Sequence, residues 1–358
     1  MDYKEHIRKK DGGLQAILSY KEGRKWKQKS KQGFENSKKG EKKAQQWMHQ
    51  IINQLENDLH LNKDYQDITF KEYIDMYTND RKINLSDSTV DTFEAAFKKF
   101  DDLDNMKLKE IKTIDIQRCV NKLSKVYRRS TIETYIKKLK TAFNYAINVY
   151  EIINISPIKK LEYSGQKSVN KIALNRNETN NLLEKLKRKD NKQHYLMSLL
   201  AVKCGLRVGE ICGLTWDKID FKNCIIDVNI QWNKVNGGYG FTKLKSNNSY
   251  RQVPFNSLVK KELLQYKEKT VINIDNRLFN IKNTNITASY LGRIYKRLGY
   301  DISIHELRHT YATNLVQAGL DFKTVASLLG HDIKETMNTY SHVNDDMIQR
   351  AIEIINVL

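Results

Sequence analysis

Residues 303–343 read SIHELRHTYATNLVQAGLDFKTVASLLGHDIKETMNTYSHV, and their pattern sets the architecture of the C-terminal half of the chain. His305 and Arg308 are three positions apart, so on a helix both leave one face. Leu315, Val316 and Ala318 precede Gly319, the residue type that ends helices in the left-handed conformation. A second helix reads Phe322, Val325, Ala326, Leu329 and stops at Gly330. His331 therefore stands just past a helix end, and Tyr340 follows nine residues later in a polar segment.

That grouping suits chemistry on a phosphate. A guanidinium offers a planar fork of donors to phosphate oxygens, an imidazole moves protons near neutral pH, and a phenol can act as a nucleophile. By residue type alone Tyr311 and Tyr340 are equivalent candidates for the last role. The pentapeptide His305-Glu306-Leu307-Arg308-His309 also matches H-E-x-x-H, the zinc-hydrolase helix. In that reading His305 and His309 are ligands, Glu306 is the general base, and His331 or Glu335 completes the set. Against it, Arg308 places a fixed cation beside the metal.

A chain of 358 residues has room for two or three domains. Its net charge of +20 and pI near 9.5 point to a polyanionic partner, most simply nucleic acid, with a ribosome or an acidic membrane surface as alternatives. The start MDYKEHIRKK is polar and no apolar run approaches ~18 residues, so no signal peptide or membrane span is expected, and a cytoplasmic protein is. Cys119, Cys204, Cys212 and Cys224 form no C-x-x-C pair, which argues against a zinc knuckle or a disulfide framework. Cys204 and Cys212 read as buried packing thiols.

Residues 1–43 carry fourteen Lys/Arg against six Asp/Glu. Residues 14–20 (LQAILSY) predict a strand, Glu22-Gly23 a turn, and the alternation from Trp26 to Lys31 a second strand. Ala44, Trp47, Met48, Ile51, Ile52 and Leu55 then predict an amphipathic helix. A small sheet backed by one helix, with Lys25, Lys27, Lys29 and Lys31 on the strand face, is suited to lie against DNA. Four helices are expected between residues 69 and 150. The first opens on the capping box Thr69-x-x-Glu72, and Thr113 is expected to cap the third. The last carries Arg128, Arg129, Lys137, Lys138 and Lys140 on its polar side, suited to phosphate contacts.

After a linker over residues 153–171, Asn175 or Asn177 caps a helix, and residues 195–202 form another that stops at Gly205. In GLRVGEICGLTW, Arg207 stands at a helix entrance with Glu210 three residues on. An arginine so placed can reach a phosphate near the helix N-terminus while Glu210 orients it. Strand-like runs follow over 224–232, 240–245 and 250–255, with Lys243 and Lys245 ahead of the loop 246–249. Met347, Ile348, Ala351, Ile352, Ile354 and Ile355 make an apolar terminal helix suited to docking on a partner.

Taken together, GLRVGEICGLTW, SIHELRHTYATNLVQAG and LLGHDIKETMNTYSHV resemble the ordered motifs of the tyrosine recombinases, the phage-integrase-type site-specific recombinases. The resemblance covers nearly the whole chain. It implies a multidomain fold: a small α+β arm-binding domain over 1–62 (short antiparallel sheet plus helix), an all-α core-binding domain over 67–155, and a mainly α catalytic domain with a small antiparallel sheet over 172–358. It further implies that Tyr340 is the nucleophile, giving a 3′-phosphotyrosyl intermediate. Arg207 and Arg308 would clamp the phosphate, His305 would assist proton transfer and His331 would bond the phosphate. Lys245, or else Lys243, would be the general acid, Glu210 would support Arg207, and His309 would be structural. No cofactor, metal or ATP is implied.

The arm module resembles that of lambda-type and conjugative-transposon integrases rather than simple Xer-type recombinases, which lack it. The partners implied are double-stranded DNA at core and arm attachment sites, a homo-tetramer joined through the C-terminal helix, and directionality and DNA-bending factors. A non-catalytic DNA-binding regulator explains the charge but not the ordered motifs. A type IB topoisomerase shares the chemistry but not the arm module or the terminal helix.

Overall fold

The structure, a computed structural model, describes residues 2–10, 12–22, 25–59, 61–166, 173–188, 191–235, 237–340 and 355. The chain divides into two compact units, residues 1–168 and 169–358.

The first unit holds two hydrophobic cores. One lies beneath an antiparallel sheet of β1 (Tyr3–Lys10), β2 (Gly13–Glu22) and β3 (Lys25–Phe34), in that order, with α1 (Lys38–Leu59) on one face. Ala16 and Leu18 of the central strand bury against Ala44 and Met48 of the helix. The strand β1 is absent from the sequence expectation because its inward positions are only Tyr3 and Ile7, the rest being polar.

The other core is aromatic. Helices α2 (Phe70–Lys82), α3 (Asp87–Phe97), α4 (Thr113–Ser124) and α5 (Arg129–Asn148) enclose Phe70, Tyr73, Tyr77, Phe93, Phe97 and Phe143. The capping box of α2 forms as expected: Thr69 Oγ1 accepts from the Glu72 amide, and Glu72 Oε2 accepts from the Thr69 amide at 2.9 Å. Thr113 does not cap α4. It is the first helical residue and its hydroxyl donates to the Pro157 carbonyl at 2.8 Å, while Asp115 accepts the Lys112 amide at the helix start.

The second unit contains α6 (Arg176–Arg188), α7 (Lys192–Cys204), α8 (Val208–Gly213), β4 (Ile219–Asp220), β5 (Ile225–Val228), β6 (Gln231–Val235), β7 (Gly238–Thr242), β8 (Arg251–Pro254), α9 (Ser257–Lys269), α10 (Thr284–Arg297), α11 (Ile304–Gln317), α12 (Phe322–Leu329) and α13 (Ile333–Tyr340). Asn175 caps α6, its Oδ1 accepting from the Glu178 amide at 2.9 Å. Helix α7 is apolar on every side and buried through most of its length, and its Ser198 hydroxyl is paired with Tyr295.

The strands differ from the expected run. A short sheet orders β4-β5-β8, and β6-β7 is a separate hairpin. That hairpin lies against α8 at Gly213, where a Cβ would come within 2.7 Å of the Gln231 carbonyl carbon. The apolar terminal segment from Met347 lies outside the described residues except for Ile355.

Candidate active site

Helix α7 ends at Gly205 with φ 65°. A Cβ there would sit 2.4 Å from Tyr311 Cδ1, so the missing side chain is what lets α11 pack against this turn. Two residues on, Arg207 occupies the N-cap of α8, and Glu210 accepts both its amide and its Nη1, each at 2.8 Å. Glu210 is only 3% exposed. Arg251, reaching in from β8 and 8% exposed, donates Nη1 and Nη2 to the two Glu210 oxygens at 3.0 and 2.8 Å. Arg308, 1% exposed on α11, brings Nη1 to 3.9 Å from the same carboxylate. Burial alone would raise the Glu210 pKa. The hydrogen bonds and charge of Arg251, with the charges of Arg308 and Arg207, outweigh it and hold the group at about 2.

The same three guanidiniums converge on the end of α12. Arg251 Nε donates to the Leu328 carbonyl at 2.7 Å, Arg308 Nη2 to the Leu329 carbonyl, and Arg207 Nη2 to the Gly330 carbonyl at 2.9 Å. Helix C-termini expose unpaired carbonyls and the negative end of the dipole, so cations are favoured there. Gly330 ends the helix in the left-handed conformation at φ 63°, with Ser249 Cα and Asn248 O 3.0 and 3.1 Å from where a Cβ would lie.

This turn aims His331 at Arg308, with Nη2 and Nε2 2.9 Å apart. A guanidinium can only donate, so Nε2 is the acceptor and the ring proton resides on Nδ1. Burial, then the charges of Arg308 and Arg207, push the His331 pKa down to about 3. His305 is exposed near the start of α11, edge-on to His309 with ring centroids 4.7 Å apart. A cleft of about 280 Å³ opens beside them, bounded by Arg207, Gly209, Gln231, Trp232, Asn285 and His305. Planar cationic donors, a neutral imidazole and an open mouth suit a bound anionic ester.

Of the two tyrosines, Tyr311 is buried in an apolar cluster and its hydroxyl is pushed up to about 12 by burial, reinforced by Cys204. Burial and the raised hydroxyl pKa disfavour it as a nucleophile. Tyr340 closes α13, a helix where the sequence suggests only a polar segment; its side chain lies outside the described residues.

Two family models match: the phage integrase family over residues 173–347, and the phage integrase N-terminal SAM-like domain over residues 69–124. A curated relative, the tyrosine recombinase XerC-like protein of Caldanaerobacter subterraneus subsp. tengcongensis, is 31% identical over 359 aligned residues, covering 89% of this chain and 90% of its own. The chain belongs to the tyrosine recombinases. Site-specific recombination is the reaction of that family, and this recombinase is an enzyme of that class. A tyrosine recombinase of Pseudothermotoga lettingae is 27% identical over 76% of this chain and 93% of its own. The fold matches the Tn1549 transposon integrase, solved in complex with transposon right end DNA, at a TM-score of 0.70 and 23% identity over 81% of this chain and all of that one (100%). It also matches a lambda integrase dimer bound to a core site, at a TM-score of 0.58 and 18% identity over 95% of this chain and 96% of that one.

The HELRH residues have other partners in this fold. The Glu306 carboxylate caps its own helix, accepting the Ser303 amide at 2.8 Å, and Arg308 is absorbed in the cluster at Glu210.

Two groups of lysines lie elsewhere in the fold than the sequence suggests. Lys25, Lys27, Lys29 and Lys31 are exposed but pair across the sheet with Glu22, Tyr20, Leu18 and Ala16, which puts them on the side that α1 covers. The open side instead carries Lys4, His6, Arg8 and Lys10 of β1 with Trp26, over whose ring Lys4 Nζ sits at 4.8 Å. Lys243 and Lys245 are not on a strand. β7 ends at Thr242, and both lysines are exposed on a loop pinned by buried Leu244. In the first unit, Arg128 and Arg129 stand at the start of α5, Arg129 paired with Glu133 at 3.1 Å, and Lys137 is exposed one face along.

The residue missed outright is Arg251. Its signal was a charge in phase with Val253 on a strand whose inward positions are buried.

Proposed function

We propose that this recombinase is the integrase of a mobile element, which cuts and rejoins DNA at a core site through a 3′-phosphotyrosyl intermediate. The observation that carries the reading is the meeting of Arg207, Arg308 and His331, drawn from three separate motifs, at one turn beside an open cleft. With a scissile phosphate in that cleft, Arg207 and Arg308 bind its non-bridging oxygens and stabilise the charge of the pentacovalent transition state. The Tyr340 oxygen attacks phosphorus as its proton passes to His305. The bond from phosphorus to the 5′-oxygen breaks, and the leaving oxygen takes a proton from Lys245 or Lys243. One ester replaces another, so the step is reversible without ATP or metal, and rejoining retraces it.

Core DNA is engaged by Arg128, Arg129 and Lys137 and arm DNA by the open face of the N-terminal sheet. The lambda integrase likeness across 95% of the chain supports an arm-binding role for that module. A tetramer joined by C-terminal segments, accessory bending and directionality proteins, and a cytoplasmic, nucleoid-associated location complete the reading.

The test is a nicked core-site duplex that traps the cleaved state, incubated with wild type and Tyr340→Phe without added metal. A covalent protein–DNA band from wild type alone is expected. An adduct from the variant as well would move the nucleophile elsewhere; binding without an adduct from either would favour a regulator.

A further inference from the structure

We propose that Arg251 is a positioning residue for strand cleavage, fixing Arg207 and His331 by gripping Glu210 and the end of α12 together; this rests on the recombinase reading above. Arg251 is buried at 8% exposure, and four of its five N–H donors are assigned: two to Glu210, one each to the Leu328 and Ser249 carbonyls. Nη1 serves both Glu210 Oε1 and the Ser249 carbonyl, each at 3.0 Å. Glu210 in turn holds the Arg207 side chain at 2.8 Å, and the Leu328 carbonyl is two residues ahead of the turn that presents His331. Arg251 thus adds a buried link between the N-cap of α8 and the last turn of α12, beside the direct bond of Arg207 to the Gly330 carbonyl. A Cβ at Gly330 would lie 3.1 Å from Arg251 Nη1, so the glycine is what lets the turn close on the guanidinium.

A planar guanidinium fork is required. A lysine ammonium at this place reaches one Glu210 oxygen and cannot also hold Leu328. The charged groups facing Glu210 are Arg207, Arg251 and Arg308, with His331 beyond Arg308. Removing Arg251 takes away the strongest of Glu210's partners, and burial then favours the protonated carboxyl. An acid limb should therefore appear in the cleavage rate of the variant that the wild type lacks.

The experiment uses the full-length protein and the nicked core duplex, with single-turnover adduct formation followed from pH 5 to 9 for wild type, R251M and R251K. DNA affinity is titrated in parallel and melting followed by circular dichroism. For R251M, core-DNA affinity within about threefold of wild type is expected, with adduct formation slowed on the order of 100-fold, the scale of a misplaced catalytic group. The loss should deepen below neutral pH, and R251K should recover part of the rate. A wild-type rate and pH profile from R251M overturns the proposal, as does a pH-independent loss that tracks lost binding or melting. Should R251M not fold, R251K decides, since a wild-type rate and profile from it equally refutes the need for the fork. Absence of an adduct from wild type removes the recombinase reading and this role with it; an adduct from wild type with unaltered R251M removes this role alone.

Discussion

Replacing Glu210 by glutamine keeps the shape of the α8 cap and deletes the charge on which three arginines converge. The carboxyl is held at about 2 against an ordinary 4.5. At ~1.4 kcal/mol per pH unit that displacement stabilises the folded state by roughly 3 kcal/mol at neutral pH. The figure agrees with the roughly 3–5 kcal/mol expected when a buried pair loses one partner. At about 2–4 °C per kcal/mol for a unit of this size, the melting transition of the catalytic unit should fall by roughly 10 °C. The sign with pH follows from a depressed carboxylate. The stabilisation is complete above 4.5 and disappears as pH falls through 2, so wild type should lose stability over that window while Glu210→Gln does not. Scanning calorimetry of both proteins at pH 7 and at steps down to pH 2.5 measures the gap. A gap below about 2 °C at pH 7, or one that does not narrow in acid, would falsify the account of Glu210 as the counter-charge of the cluster.

Burial first, and then the charges of Arg308 and Arg207, hold the His331 imidazole neutral; a phosphate between the two arginines offsets the second cause, so its pKa should rise from about 3 on core-DNA binding. Titration calorimetry in buffers of different ionisation enthalpy should show proton uptake that grows as pH is lowered, absent in His331→Gln. Gly330→Ala forces a side chain into left-handed backbone against Ser249 and should destabilise by about 1–2 kcal/mol or more while slowing adduct formation. Thr69→Ala removes the reciprocal cap of α2 and should cost about 1 kcal/mol in the first unit, leaving the melting of the catalytic unit unchanged.

Features with a local cause could be read from the chain directly. Gly319 and Gly330 end α11 and α12 with φ 91° and 63°, Thr69 and Glu72 form their box, and Glu210 reaches back to Arg207. What escaped depends on partners distant in sequence. Alternation in β3 shows that its lysines share a face, but which face α1 covers is decided by Ala16 and Leu18 of the neighbouring strand. β1 has too little apolar content to announce itself, and its partner strand supplies the reason it forms. The run 240–245 looks like strand throughout, but β7 ends at Thr242, because β5 pairs with β8 and leaves β6-β7 a separate hairpin. Arg251 reads as an ordinary strand arginine until Glu210, forty-one positions earlier, is beside it.

Loop amides next to a helix end commonly exchange with solvent deuterium within the fraying regime, independent of global unfolding. The turn after α12 should behave otherwise. The His331 amide is bonded to the Ala326 carbonyl at 3.0 Å, and the three carbonyls ahead of it are each tied to a guanidinium from β8, α11 or the start of α8. Opening this turn means breaking charge-assisted bonds to three distant segments at once. Its protons should therefore exchange on the timescale of the catalytic unit's core, an unusually slow clock for a surface corner.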